Sequence, residues 1–324
     1  MLRRGKPVLA WLLLAGCCAS VLAQDGAPRP EAVGTDRFLV CYPNAPGTPR
    51  QAEPVMAKLG EYLGDRLGRR VRPSYFNELS AAEAWLAQEP ARYGIVTLDL
   101  YLRWHRSKRL TVLAHAERSG ASTERYHLLV PKAGPEQELA DLLKLPRAPR
   151  IWSSHLDDPR FAGRVVFQGR LTVKEVQREE KVIPALTTGQ VRVVSTTKTL
   201  GAVRRMLAGQ PYLGQPVDAV LVDDTAWAGL QKLSRFKDVL RVLYASPALP
   251  TPVVVSLGDV PAAEAERLGK VVVAMKQEQE GQAILSTLQA TGFSAPQRDA
   301  LAALVKTYAE EPGAAKGESG EGSR

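Results

Sequence analysis

Three loops in this sequence bring hydroxyl groups to the point where an apolar strand gives way to a helix. Thr97 follows the apolar run 93–96, Ser153 and Ser154 follow Trp152, and Ser195, Thr196, Thr197, Lys198 and Thr199 follow Val194. A helix N-terminus offers unpaired backbone N–H groups and the positive end of its dipole, so hydroxyls beside it suit a small anion. The same residue types also cap helices for purely local reasons, and for each loop both readings stay open. Other candidates sit beside these loops. Tyr42 ends the first strand and reads either as a cleft residue or as a rim or core tyrosine. Asp99 and Tyr101 follow the third strand, and Asp99 either caps the next helix or takes a ligand amine or hydroxyl. His155 follows Ser154, and Asp223 and Asp224 close the run 217–222. Asp224 reads as a helix N-cap. Asp223 opposes an anionic ligand unless a proton or a donor passes between them.

Catalytic patterns are missing. The sequence has no Gly-x-Ser-x-Gly elbow, no His-Glu-x-x-His and no glycine-rich loop ending in Lys-Ser or Lys-Thr. Its four histidines, His105, His115, His127 and His155, follow no metal-ligand spacing. No enzyme, metal or cofactor is therefore expected. The formal charge is +9, and Arg3, Arg4 and Lys6 supply three of those charges before the first acid, Asp25. A chain starting near Gln24 carries +6. The basic residues are scattered, with no block interleaved with aromatics, so no nucleic-acid partner is expected.

The N-terminus has the build of an export signal. A basic stretch, 1–6, precedes an apolar run of about ten residues, too short for a bilayer span of about 20. Two processing sites compete. Val21-Leu22-Ala23 fits leader cleavage, giving a signal peptide over 1–23. Leu14-Ala15-Gly16-Cys17 fits a lipobox, in which Cys17 carries a lipid anchor. The apolar stretch 18–23 favours cleavage after Ala23, which leaves Cys41 as the single cysteine, a small buried hydrophobe in a strand. Residues 24–35 read as a flexible leader and 311–324, rich in Gly, Glu, Ser and Ala, as a disordered tail.

Between these ends strands and helices alternate. Strands are expected at 37–42, 70–75, 93–97, 110–115, 126–131, 150–152, 165–167, 191–194, 217–222, 240–244 and 252–256. Helices are expected at 55–67, stopped by Gly68; at 81–88, opened by a Ser80/Glu83 capping box; from 98; at 138–145; at 173–186; at 200–208, stopped by Gly209; at 225–233; at 259–275; at 280–290, stopped by Gly292; and at 296–309. Such alternation implies α/β architecture, with mostly parallel sheets flanked by helices. At roughly 150 residues per unit the length suits two lobes, and the strand ends of both then face one cleft.

The order of these blocks resembles the phosphate/phosphite/phosphonate solute-binding proteins of ABC transporters. Phe38-Leu39-Val40-Cys41-Tyr42-Pro43 followed by a helix ending Gly64-Asp65-Arg66-Leu67-Gly68 is similar to that family's opening. The blocks 93–101, 126–130 with Leu139-Ala140-Asp141-Leu142, 200–209 with Val217-Asp218-Ala219-Val220, and 284–293 ending Thr291-Gly292-Phe293 resemble its later units. The resemblance implies a two-lobe, type II periplasmic-binding-protein-like fold joined by a two-strand hinge. Lobe one then comprises 36–124 and 251–310, lobe two 125–250, and the hinge lies near 122–126 and 245–251. It also implies an exported protein that captures a small, phosphate- or phosphonate-like anion or other polar solute for an ABC permease or a membrane sensor. The alternative is a family member acting as a protein-interaction module in the cell envelope. In the family, a Ser-Thr-Ser-Gly stretch after the first strand of lobe two holds the anion. Here that segment reads Ser153-Ser154-His155-Leu156-Asp157-Asp158, keeping hydroxyls but losing the glycine and adding two acids.

Overall fold

Strands whose residues are apolar on both faces must be covered on both faces, and this requirement organises the molecule. The computed structural model describes residues 34–45, 47–154, 158–178, 190–196 and 198–310, with backbone alone at 174–178. In chain order the first half holds β1 (Thr35–Cys41), α1 (Pro49–Leu67), β2 (Arg70–Phe76), α2 (Leu79–Gln88), β3 (Tyr93–Val96), α3 (Leu98–Trp104), β4 (Thr111–Glu117), β5 (Thr123–Glu124), β6 (Tyr126–Pro131), α4 (Leu139–Leu143) and β7 (Arg150–Ser153). A π-helical turn (Phe161–Val166) follows, then β8 (Thr172–Arg178), β9 (Gln190–Ser195), α5 (Thr199–Leu207), β10 (Ala219–Asp223), α6 (Asp224–Lys232), α7 (Ser234–Lys237) and β11 (Leu240–Ala245). The last part comprises β12 (Leu249–Pro250), β13 (Val253–Ser256), α8 (Ala262–Ala274), α9 (Gln279–Thr287), β14 (Gly292–Ser294) and α10 (Arg298–Ala309).

Two six-stranded sheets result, ordered β14-β4-β13-β3-β1-β2 and β11-β6-β10-β7-β9-β8. Each combines a parallel portion with antiparallel strands. In the first, β2, β1 and β3 run parallel while β13, β4 and β14 pair antiparallel. In the second, β10, β7, β9 and β8 run parallel while β6 and β11 pair antiparallel. The reversed strands include those that carry the chain from one sheet to the other, where its direction must turn. Between the sheets β5 and β12 form a short antiparallel pair, Glu124 opposite Leu249 and Thr123 opposite Pro250.

Apolar side chains fill three layers. One joins Phe38, Val40 and Ile95 to Leu59 and Leu63 of α1 and to Leu268 and Val272 of α8. A second packs α5, α6 and α7 on the outer face of the other sheet around Trp152 and Val220. The third is continuous across both lobes, running from Cys41, Val96 and α3 through Ile151, Phe161 and Val166 to Leu301 and Tyr308 of α10. Thus α10 returns the chain to the second sheet, lying between α3 and the π-helical turn. Arg164 donates to the Tyr308 carbonyl at 2.7 Å, and the Tyr308 hydroxyl donates to Asp158 at 2.5 Å.

Several local expectations need correction. The run 165–167 is no strand: Val165 and Val166 are buried in the π-helical turn and Phe167 follows it. The expected helix at 173–186 is strand β8 up to Arg178, and its remainder lies outside the described residues. Val173 and Val176, three apart, read as helical. In the structure a bulge absorbs one residue, so they pair with Val191 and Val193, two apart on β9. No Ser80/Glu83 capping box forms, because α2 starts at Leu79, which brings Leu79 and Ala82 into the core. The start of α1 does carry a reciprocal box: Thr48 takes the Gln51 backbone N–H at 3.3 Å and gives its own to Gln51 Oε1 at 2.9 Å. After α9 it is Gln289 that adopts the left-handed conformation, at φ 56°; Gly292 opens β14, where an added Cβ would lie 2.6 Å from Glu117 Oε2. Of Asp259 and Pro261, expected to open the helix at 259–275, Pro261 directly precedes α8 and Asp259 pairs with Arg109 at 2.7 Å.

Candidate functional site

A cavity of about 290 Å³ lies where strand ends of the two sheets meet the β5–β12 pair. Five residues singled out in the sequence line it. Tyr42 leaves β1, Thr97 and Asp99 lie at the start of α3, Ser154 follows β7, and Asp223 ends β10. Parallel strands deliver them there because their carboxyl ends share one edge of each sheet.

The other candidates lie elsewhere. Tyr101 is buried in the core under α3, with its ring 5.9 Å from that of His105. Ser153 is fully buried opposite Ser195, and its carbonyl accepts the Thr196 N–H at 2.8 Å. Thr196 Oγ1 accepts the Lys198 N–H at 3.0 Å, a local turn bond of the kind that competes with ligand binding. Lys198 is exposed. None of these four lines the cavity. His155 and Thr197 lie outside the described residues.

Three charged groups dominate the floor, and two of them are not singled out in the sequence. A tight turn, with Ser119 at φ 51° and Gly120 at φ 80°, folds Arg118 back against Ala121. The Arg118 guanidinium then reaches Glu124 at 2.9 Å and Asp223 at 3.1 Å. Asp223, not Asp224, caps α6: its Oδ1 accepts the Ala226 N–H at 2.7 Å. Asp224 instead accepts the Arg125 N–H at 2.7 Å and faces His127 Nε2 at 2.6 Å. Asp99 and Asp223 are nearly inaccessible at 4% exposure each, and Glu124 at 6%.

Burial pushes the Glu124 carboxyl up to about 7; Arg118 opposes this and Asp223 adds to it. Burial likewise raises the Tyr42 phenol to about 12 and drives Tyr126 well above its ordinary value. Both rings therefore stay neutral at any physiological pH. Tyr75 also lines the cavity. Two polar atoms of lining residues are buried without a hydrogen-bond partner, Thr97 Oγ1 and Asn44 Nδ2. Among the described residues no group of three His, Cys, Asp or Glu is placed to hold a metal ion, and no helix is long and apolar enough to cross a membrane.

Two α/β lobes joined by paired linking strands, with a cavity between their strand ends, define the periplasmic-binding-protein class. The sequence profile described as "ABC transporter, phosphonate, periplasmic substrate-binding protein" matches residues 45–301. The chain belongs to that family, whose members bind solutes for ABC transporters and perform no catalysis. Solved structures show the same fold at low identity. XAC2383 from Xanthomonas citri bound to ATP is 14% identical, with TM-score 0.65 over 85% of this chain and 96% of its own. PhnD1 from Prochlorococcus marinus in complex with methylphosphonate is 12% identical, with TM-score 0.58 over 84% and 96%. The binding-protein component of an ABC phosphonate transporter from Pseudomonas aeruginosa is 13% identical, with TM-score 0.58 over 84% and 85%. A search of curated protein sequences finds no match.

Proposed function

We propose that this protein is an exported receptor that closes its lobes around one small polar solute and presents it to an ABC permease or a membrane sensor. The observation that carries the reading is the cavity itself, bounded by both lobes and by the segments that join them. In this reading β5 and β12, with residues 122–126 and 245–251 around them, are the hinge, and lobe two is the insertion 125–250. Tyr42, Thr97, Asp99, Ser154 and Asp223 touch the solute, while Thr196 and Lys198 serve the local structure of their own loop.

A thermal-shift screen with phosphate, phosphite, phosphonates, sulfate and small amines tests capture. A solute at one hundred times its dissociation constant adds about 2.7 kcal/mol to stability. No stabilisation across the whole panel removes the reading. Export is tested separately by mass spectrometry of the mature N-terminus. A chain starting at Gln24 supports the soluble form, and a lipidated Cys17 supports the anchored one.

A further inference from the structure

We infer that Arg118 and Asp223 form a latch between the lobes, an ion pair that holds the two sheets together before any solute arrives. The inference rests on the hinged, two-lobe reading above and concerns what sets the gape of the empty molecule.

The pair joins elements of different sheets. Arg118 directly follows β4 of the first sheet, and Asp223 is the last residue of β10 in the second. Their side chains meet at 3.1 Å. The ion pairs Arg109–Asp259, Lys276–Glu117 and Arg147–Asp218, by contrast, each stay within one lobe. Both ends of the bridge are held in place. The left-handed turn at Ser119 and Gly120 closes Arg118 against Ala121 through two backbone bonds, at 2.8 and 3.0 Å. Glu124, on the linking strand β5, fixes the same guanidinium nitrogen at 2.9 Å. Asp223 is anchored from its own side, since its Oδ1 accepts the Ala226 N–H of α6 while Oδ2 faces Arg118. One carboxylate thus couples the arginine of one lobe to the first turn of a helix in the other.

The two side chains are 18% and 5% exposed, so solvent and salt screen the pair poorly. Such a pair stabilises only while its geometry holds. Opening the lobes lengthens the distance and returns both groups to water. Separation therefore loses the attraction yet recovers hydration, and the balance sets the share of closed molecules. That share matters for capture. Both residues line the cavity, so the latch sits where a solute arrives. The apparent affinity of a solute that binds the closed form scales with the fraction of molecules closed when empty. A latch near balance lets the lobes open for entry and also lowers the free energy a solute must supply to close them.

Small-angle scattering and hydrogen exchange on the purified, solute-free protein test the latch. Asp223→Asn removes the charge but keeps an oxygen for the α6 cap. Arg118→Gln removes the other partner. Each is expected to enlarge the radius of gyration and to speed amide exchange several-fold in 122–126 and 245–251. The double variant is expected to be no more open than the more open single one, because both changes remove the same interaction. Arg118→Lys, which keeps the charge, is expected to recover part of the compactness. Radii and exchange like the parent's in both single variants, with melting curves that show folded chains, overturn the inference. Opening in only one of the two single variants overturns it too, since that group then acts through another partner. If Arg118→Gln does not fold, Asp223→Asn decides by itself. None of these outcomes bears on solute capture, which the thermal-shift panel decides.

Discussion

The cluster of Arg118, Glu124 and Asp223 sets how this protein responds to pH. Burial raises the folded-state pKa of Glu124 to about 7, from an ordinary carboxyl value of 4.5. The folded chain therefore binds more protons than the unfolded chain between those values, and stability falls as pH rises through that window. The shift corresponds to a loss on the order of 3 kcal/mol between pH 4 and pH 8. The groups acting on Glu124 are Arg118, Asp223 and Asp224, so the slope belongs to the cluster as a unit. Urea titrations at pH 5 and pH 8 check the sign, and Glu124→Gln is expected to flatten the difference. Sequence reading located Tyr42, Thr97, Asp99, Ser154 and Asp223 because hydroxyls, acids and an aromatic stood where apolar strands end. It passed over Arg118 and Glu124 because nothing in a scattered set of basic and acidic residues shows which ones a tight turn folds together. Thr196 and Lys198, also candidates, do not line the cavity, and a hydroxyl bonded to its own backbone looks the same in sequence as one open to a ligand.

Among the elements, the α1–β2 contact offers a test of packing. At Gly60 an added Cβ would lie 2.7 Å from the Val71 carbonyl and 2.8 Å from Pro73 Cδ. Gly60→Ala gains helix propensity yet forces α1 away from the edge strand, and is expected to cost about 1–3 kcal/mol in chemical denaturation. Gly68, at φ 70°, ends α1 in the left-handed region, and Gly68→Ala is expected to cost about 1–2 kcal/mol by the same measurement. The C-terminal helix offers a third case. Tyr308→Phe removes the hydroxyl that satisfies the buried Asp158 and is expected to cost about 1–3 kcal/mol. Elements were legible where period and caps agreed, as with β1, α1 and its Gly68 stop. They were misread where a tertiary constraint set the geometry. The bulge in β8 gave a strand the three-residue spacing of a helix, and the close approach of Glu117 to Gly292 reserved that glycine for β14.

For the molecule as a whole, alternation of strands and helices foretold two α/β lobes, and the order of blocks foretold the family. The mixed direction of the strands was not visible, because pairing across the lobe junctions depends on contacts far apart in sequence. Closure on a solute is expected to make the molecule more compact. Small-angle scattering with a saturating ligand should show a smaller radius of gyration than without; equal radii would mean that the lobes are already shut when empty.

The route of α10 has a mechanical consequence. After β14 completes the first sheet, the chain runs on through residues 295–297 into a helix bedded on the π-helical turn beside the second. The lobes are thus tied not only through the two linking segments but also by this short strap, whose Gln297 side chain donates to Ser122 Oγ at 2.6 Å. With the hinge proposed above at β5–β12, a swing apart would draw the strap taut and set a covalent ceiling on the gape. Cutting the chain between Ser294 and Arg298 should let the jaws open wider than the intact protein ever does.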